Sequence, residues 1–85
     1  MNRRRILLRL LDGNLHNVAF TDLQRLAEGF GFREVRLSGS HHIHAHPALP
    51  RLLNLQDSDG QAKPYQIRQL LRLVEEYALH LEDPE

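Results

Sequence analysis

Four histidines in six positions, His41-His42-Ile43-His44-Ala45-His46, are the densest chemistry in this chain. Imidazole has an unperturbed pKa near 6.5, so it can take or give a proton close to neutral pH. The stretch has a period of two, the side-chain repeat of a β-strand. His42, His44 and His46 therefore share one face, and His41, Ile43 and Ala45 share the other. The histidine face is expected to be polar and open. The Ile43 face is expected to pack inward, with His41 packed or locally hydrogen-bonded beside it. RNA hydrolysis needs a base for the ribose 2′-OH and an acid for the departing 5′ oxygen. Two imidazoles can do both, or one can be the base while an arginine stabilises the phosphorane.

Imidazole is also a good zinc, copper or nickel ligand. Side chains two apart on a strand stand about 6.5–7 Å from each other. Two such histidines can share an ion, but three need strand curvature or a ligand from elsewhere, so neither a metal nor a cofactor is expected. His16 and His80 are isolated surface groups, and Arg3-Arg4-Arg5 reads as a solvated helix start that could meet phosphate. Asp57 and Asp59 resemble part of an acidic ion loop without the downstream ligands of an EF-hand. Phosphate-loop, dinucleotide, HExxH and GxSxG patterns are absent.

Several short elements must position these groups. Residues 3–11 read as a helix with Asn2 as N-cap, and Gly13 lies where it stops. A second helix is expected over 22–29, with Thr21 and Gln24 as a capping box and Gly29 and Gly31 at its end. Residues 32–37 alternate as a strand with Val35 and Leu37 inward, and Ser38-Gly39-Ser40 turns the chain into the histidine strand. Pro47 and Pro50 bracket a loop before a third strand over 51–56, with Leu53 and Leu55 inward. Pro64 opens the last helix, whose apolar stripe runs through Ile67, Leu70, Leu71, Val74, Tyr77, Ala78 and Leu81. The tail after Leu81 is expected to fray. Helices over one face of a three-stranded sheet make a two-layer α+β fold. Its expected core is Val35, Leu37, Ile43, Leu53, Leu55, Ile67, Leu70, Leu71 and Val74.

At 85 residues the chain is the size of a single small domain. Without cysteine it can have no disulfide, thiolate zinc site or thiol nucleophile. No apolar run is long enough to span a bilayer, and the basic, apolar start is interrupted by Arg9 and Asp12, so a cytoplasmic protein without membrane contact is expected. The formal charge is zero but uneven. Residues 1–56 carry eight arginines and four acids, a surplus of +4, while residues 57–85 carry three basic and seven acidic residues, a surplus of −4. A basic surface beside an acidic one follows if the halves stay apart after folding.

The segment Gly39-Ser40-His41-His42-Ile43-His44-Ala45-His46-Pro47 resembles the GSHH…HP signature of the HicA family, small mRNA-cleaving toxins of toxin–antitoxin pairs. The order of elements on either side is also similar, over roughly residues 18–79. The resemblance implies a fold like a double-stranded-RNA-binding domain, with a three-stranded antiparallel sheet packed on helices. It divides the chain into an extension at 1–17, a family-like core at 18–81 and a tail at 82–85. It implies His42 as the catalytic residue and Gly39 as the turn that positions it. Ser40, His44, His46, Arg36, Arg51 and Lys63 are the auxiliary or RNA-contacting candidates. Single-stranded RNA or mRNA would be the substrate, and a HicB-like antitoxin the partner, covering the His42–His44–His46 face with a carboxylate near Arg36 or Arg51. This chain departs from the family pattern in residues 1–17 and in lacking a lysine-rich segment before the last helix. A noncatalytic RNA-binding module and a protein-interaction domain of the same fold are the alternatives.

Overall fold

The computed structural model describes residues 2–82. They form α1 (Arg3–Leu11), α2 (Phe20–Gly29), β1 (Arg33–Ser38), β2 (His41–Ala45), β3 (Leu53–Gln56) and α3 (Pro64–Glu76). The three strands make one antiparallel sheet in the order β1-β2-β3, with the helices packed on it.

α1 starts where expected because the Asn2 side chain accepts a hydrogen bond from the Arg5 N–H at 2.9 Å. It buries Ile6 and Leu10 in the main apolar cluster, so α1 is joined to the core rather than hung from it. α2 begins earlier than the sequence suggests. Its N-cap is Ala19, Thr21 lies inside the first turn, and no side chain caps it. Instead, the Phe20 N–H donates to the Gly60 carbonyl at 2.9 Å, tying the start of α2 to the loop after β3. Gln24, freed from a capping role, faces the sheet.

Gly39 and Ser40 are the two loop residues of the β1–β2 hairpin, since Ser38 pairs with His41. Gly39 has φ +60°, and only the first loop residue is left-handed, as in a type II′ turn. Counting back, Leu37 pairs with His42 and Arg36 with Ile43, but Glu34 then pairs with His44. Val35 is the additional residue of a β-bulge and is 54% exposed. Beyond the bulge every β1 side chain changes face. Val35 therefore leaves the expected core and Glu34 turns inward. Leu37 is also outside the core, 56% exposed near the tip of an edge strand.

β3 occupies only Leu53–Gln56 of the expected 51–56. Its partners correct the expected orientation of β2. Leu53 and Leu55 are fully buried beneath the helices and pair with His44 and His42. Residues paired across an antiparallel ladder share a face, so the histidine face is the one covered by helices. Ile43 lies on the reverse face with Arg36 and Asn54; it is buried there, outside the main apolar cluster. The principal core is instead Ile6, Leu10, Val18, Phe20, Leu23, Leu26, Ala27, Phe30, Phe32, Leu53, Leu55, Ala62, Ile67 and Leu70, with Leu71 and Val74 packed against it. On the outer edge of β3, the Gln66 side chain accepts from the Gln56 N–H at 2.7 Å and donates to the Asn54 carbonyl at 3.2 Å.

α3 stops at Glu76 although its apolar spacing continues to Leu81. The Ala78 N–H donates to the Glu75 carbonyl and the Leu79 N–H to the Val74 carbonyl, the paired bonds of a Schellman motif. Ala78 takes the left-handed position, φ +50°, where glycine is usual. The turned chain packs Leu79 and Leu81 back on the core, and the Glu82 N–H reaches the Gly29 carbonyl at 2.6 Å. Glu82 is therefore anchored rather than frayed, while 83–85 lie outside the described residues. No described helix is long and apolar enough to cross a membrane.

Candidate active site

His42 sits near the hairpin tip, second in β2, with its ring on that of Phe20 (centroids 4.8 Å apart) and its side chain 18% exposed. Its Nδ1 lies 2.5 Å from Glu34 Oε1. A carboxylate can only accept, so Nδ1 carries the proton and Nε2 of the neutral ring holds the lone pair. The Gln24 amide donates to the same Glu34 oxygen at 3.2 Å, fixing the carboxylate from α2. Its 3.1 Å approach to Nδ1 follows from both groups converging on that oxygen. Three elements thus set one imidazole: β2 carries it, β1 orients it and α2 supplies its floor and a brace.

The bulge makes this possible. In an unbroken ladder, Val35 would oppose His44 and Glu34 would point to the reverse face. The extra residue swings Glu34 onto the face of His42 and leaves Arg33 and Arg36, paired with Ala45 and Ile43, on the reverse face. Neither Glu34 nor Gln24 belongs to the site expected from sequence. Register arithmetic gives a partial signal, because a two-residue turn at Gly39-Ser40 makes Leu37 and His42 share a face.

The other histidines have different fates. His44 is 1% exposed. Its Nδ1 donates to the His42 carbonyl at 3.1 Å, and Nε2 is buried with no partner. Burial pushes its pKa below the ordinary histidine value; the His42 carbonyl bond and the Glu34 carboxylate oppose that, His42 adds to it, and Glu28 opposes it. His46 is held at both nitrogens. Nε2 donates to the Phe30 carbonyl at 2.9 Å, Nδ1 accepts from the Ala48 N–H at 3.0 Å, and the ring meets Phe32 edge-on. Gly31 makes room for it: a Cβ there would lie 2.8 Å from His46 Nε2. An open row of three imidazoles is therefore corrected to one accessible imidazole and two structural ones. His41, on the reverse face, hydrogen-bonds Asn54 at 3.1 Å.

Of the remaining candidates, Gly39 and Ser40 form the tip beside His42, where the Ser40 carbonyl accepts from the Asp57 N–H at 2.9 Å. Lys63 caps α3 at the same end, since the preceding residues Gly60 and Ala62 hydrogen-bond Phe20 and Val18. Arg36 is on the opposite face of the sheet, and Arg51 is in the β2–β3 loop at the opposite end. A single surface carrying His42, Arg36 and Arg51 does not exist. Among the described residues, no three histidine, aspartate or glutamate side chains converge as metal ligands. No protein-family model matches the chain, and neither the curated proteins nor the solved structures give a match.

Proposed function

We propose that this chain is a HicA-like ribonuclease acting on single-stranded RNA in the cytoplasm, with His42 as the base. The observation that supports it is the Glu34–His42 contact, which holds the proton on Nδ1 and presents Nε2 from a half-buried ring. His42 Nε2 takes the 2′-OH proton as the 2′ oxygen attacks phosphorus. The imidazolium, paired with Glu34, returns the proton to the 5′ oxygen as its bond to phosphorus breaks. The products are a 2′,3′-cyclic phosphate and a 5′-hydroxyl. Of the candidate cations, Lys63 is the one at the start of α3 on the hairpin side, and it would stabilise the phosphorane charge. The order α2-β1-β2-β3-α3 is the helix, three strands, helix order of double-stranded-RNA-binding domains, and we read the fold as a member of that class. A HicB-like antitoxin would silence it by covering the hairpin tip and α2, because a contact at Arg36 alone leaves His42 open from the other face.

The test is cleavage of a labelled single-stranded RNA by purified protein in the presence of EDTA, with the product ends identified. His42→Gln should lower the rate by roughly 10²- to 10⁴-fold, the range of one general acid–base group. Glu34→Gln should retain some activity and change the pH–rate profile, because an amide orients the ring without balancing its charge. Equal rates for wild type and His42→Gln would remove His42 from the chemistry. RNA binding without cleavage would favour the noncatalytic module.

A further inference from the structure

A second concave surface lies at the other end of the sheet. The loop at residues 46–52 and the outer side of α3 enclose a cleft of about 320 Å³. That is at the small end of the range for small-molecule sites, about 300–1,000 Å³. Arg51 lines it from the loop and Arg72 from the helix. Neither guanidinium has an ion pair or hydrogen bond among the described residues. Two arginines lining one cleft without internal partners suit an oxyanion, which a guanidinium can grip through paired N–H groups.

The rest of the cleft restricts the ligand. Leu49, Leu73 and the Tyr77 ring line it, and Leu52 stays 55% exposed at its side. A mixed wall of leucines, Gln69 and Tyr77 beside the two arginines favours a planar ring bearing the anion over a bare ion. Glu76 also lines the cleft, so the local balance of Arg51, Arg72 and Glu76 is +1. That balance disfavours a polyphosphate, and the carboxylate can accept from an exocyclic amine or a ribose hydroxyl.

We infer that this cleft binds a nucleoside monophosphate, with phosphate on Arg51 and Arg72 and base against Tyr77 and the leucines. The unit can be a free nucleotide or the terminal nucleotide of an RNA. The site is separate from His42 and does not depend on the cleavage reaction.

The test follows amide chemical shifts of the full ¹⁵N-labelled chain during titration with AMP, inorganic phosphate and adenosine. AMP should perturb residues of the 46–52 loop and the end of α3 and bind at least about tenfold more tightly than either fragment. Arg51→Gln and Arg72→Gln should each weaken AMP about tenfold, the loss expected for one charge-assisted contact. Both side chains are exposed, and unperturbed shifts elsewhere in the spectrum establish that the variants fold. His42→Gln should leave AMP binding unchanged, which separates this site from the cleavage reaction. Competition by a 5′-phosphorylated tetranucleotide identifies RNA ends as a source of the ligand; its absence assigns the site to free nucleotides. No perturbation at these residues, or wild-type AMP affinity in both arginine variants, would overturn the inference.

Discussion

His42 and His46 lie on the same face of one strand segment, four residues apart, and have the same chemistry in isolation. At the hairpin end, His42 spends one nitrogen on Glu34 and leaves the other without a hydrogen bond among the described residues. At the loop end, His46 spends one on the Phe30 carbonyl and the other on the Ala48 N–H, so nothing is left over. Between them, His44 is sealed in with one nitrogen unpaired. Residue type supplies a proton carrier, but the number of hydrogen bonds already made decides whether it can carry one to a ligand.

The largest expected contrast comes from replacing the two outer histidines in turn. His42→Gln should cost roughly 10²- to 10⁴-fold in RNA cleavage and little in melting temperature. His46→Ala should reverse that pattern. It leaves the Phe30 carbonyl and the Ala48 N–H without their partner and removes the ring from Phe32, a loss of about 2–4 kcal/mol. Denaturant unfolding measures it, and variant that remains folded should still cleave. Loss of cleavage in folded His46→Ala would erase the distinction between the two ends.

His44 sharpens the comparison through pH. Its folded pKa is depressed, so the unfolded chain takes up this proton first as pH falls below about 6.5. The stabilisation from its neutral form is therefore complete above that value. It is lost as pH drops from there to the folded pKa, at no more than about 1.4 kcal/mol per pH unit for one proton. His44→Leu should flatten that part of the stability–pH curve, measured by urea unfolding between pH 7 and 5. An unchanged slope would mean that other groups set it.

The smallest effect belongs to the end of α3. Ala78→Gly should stabilise the fold by up to about 1 kcal/mol, because the left-handed position strains any Cβ and glycine relieves it. Thermal unfolding would show a modest rise in Tm, and a fall would mean that the flexibility gained by the unfolded chain outweighs the strain.

These contrasts also mark what could be read without a structure. α1 is legible to the residue, because Asn2, the apolar stripe and Gly13 agree. The hairpin turn, the pairing of His42, His44 and His46 on one face, and the inward Leu53 and Leu55 are legible from local pattern. Which face of β2 meets the core is not, since Ile43 is more apolar than any histidine and draws the assignment the wrong way. Register settles it: Leu55 opposite His42 and Leu53 opposite His44 bring the histidines under the helices. The bulge at Val35 carries no local mark, as Arg33 to Leu37 alternates cleanly in either register, and so Glu34 is invisible as the partner of His42. The end of α3 is hidden for a similar reason. Apolar spacing continues through Ala78 to Leu81 because those leucines remain useful to the core after the helix has ended.

Gln66 has a consequence for how molecules of this chain meet one another. An open sheet invites a neighbour's strand wherever a free N–H and C=O repeat along its margin. On the β3 side, one glutamine side chain already occupies the Gln56 donor and the Asn54 acceptor that a newcomer would need first. On the β1 side, the kinked backbone at Val35 and the charges of Arg33 and Arg36 make a poor template for a straight strand. The sheet is thus blocked from growing in either direction by different means, a side chain that imitates backbone on one margin and a distorted backbone on the other. Concentrated protein should therefore resist stacking into ribbons even though two of its three strands are edge strands.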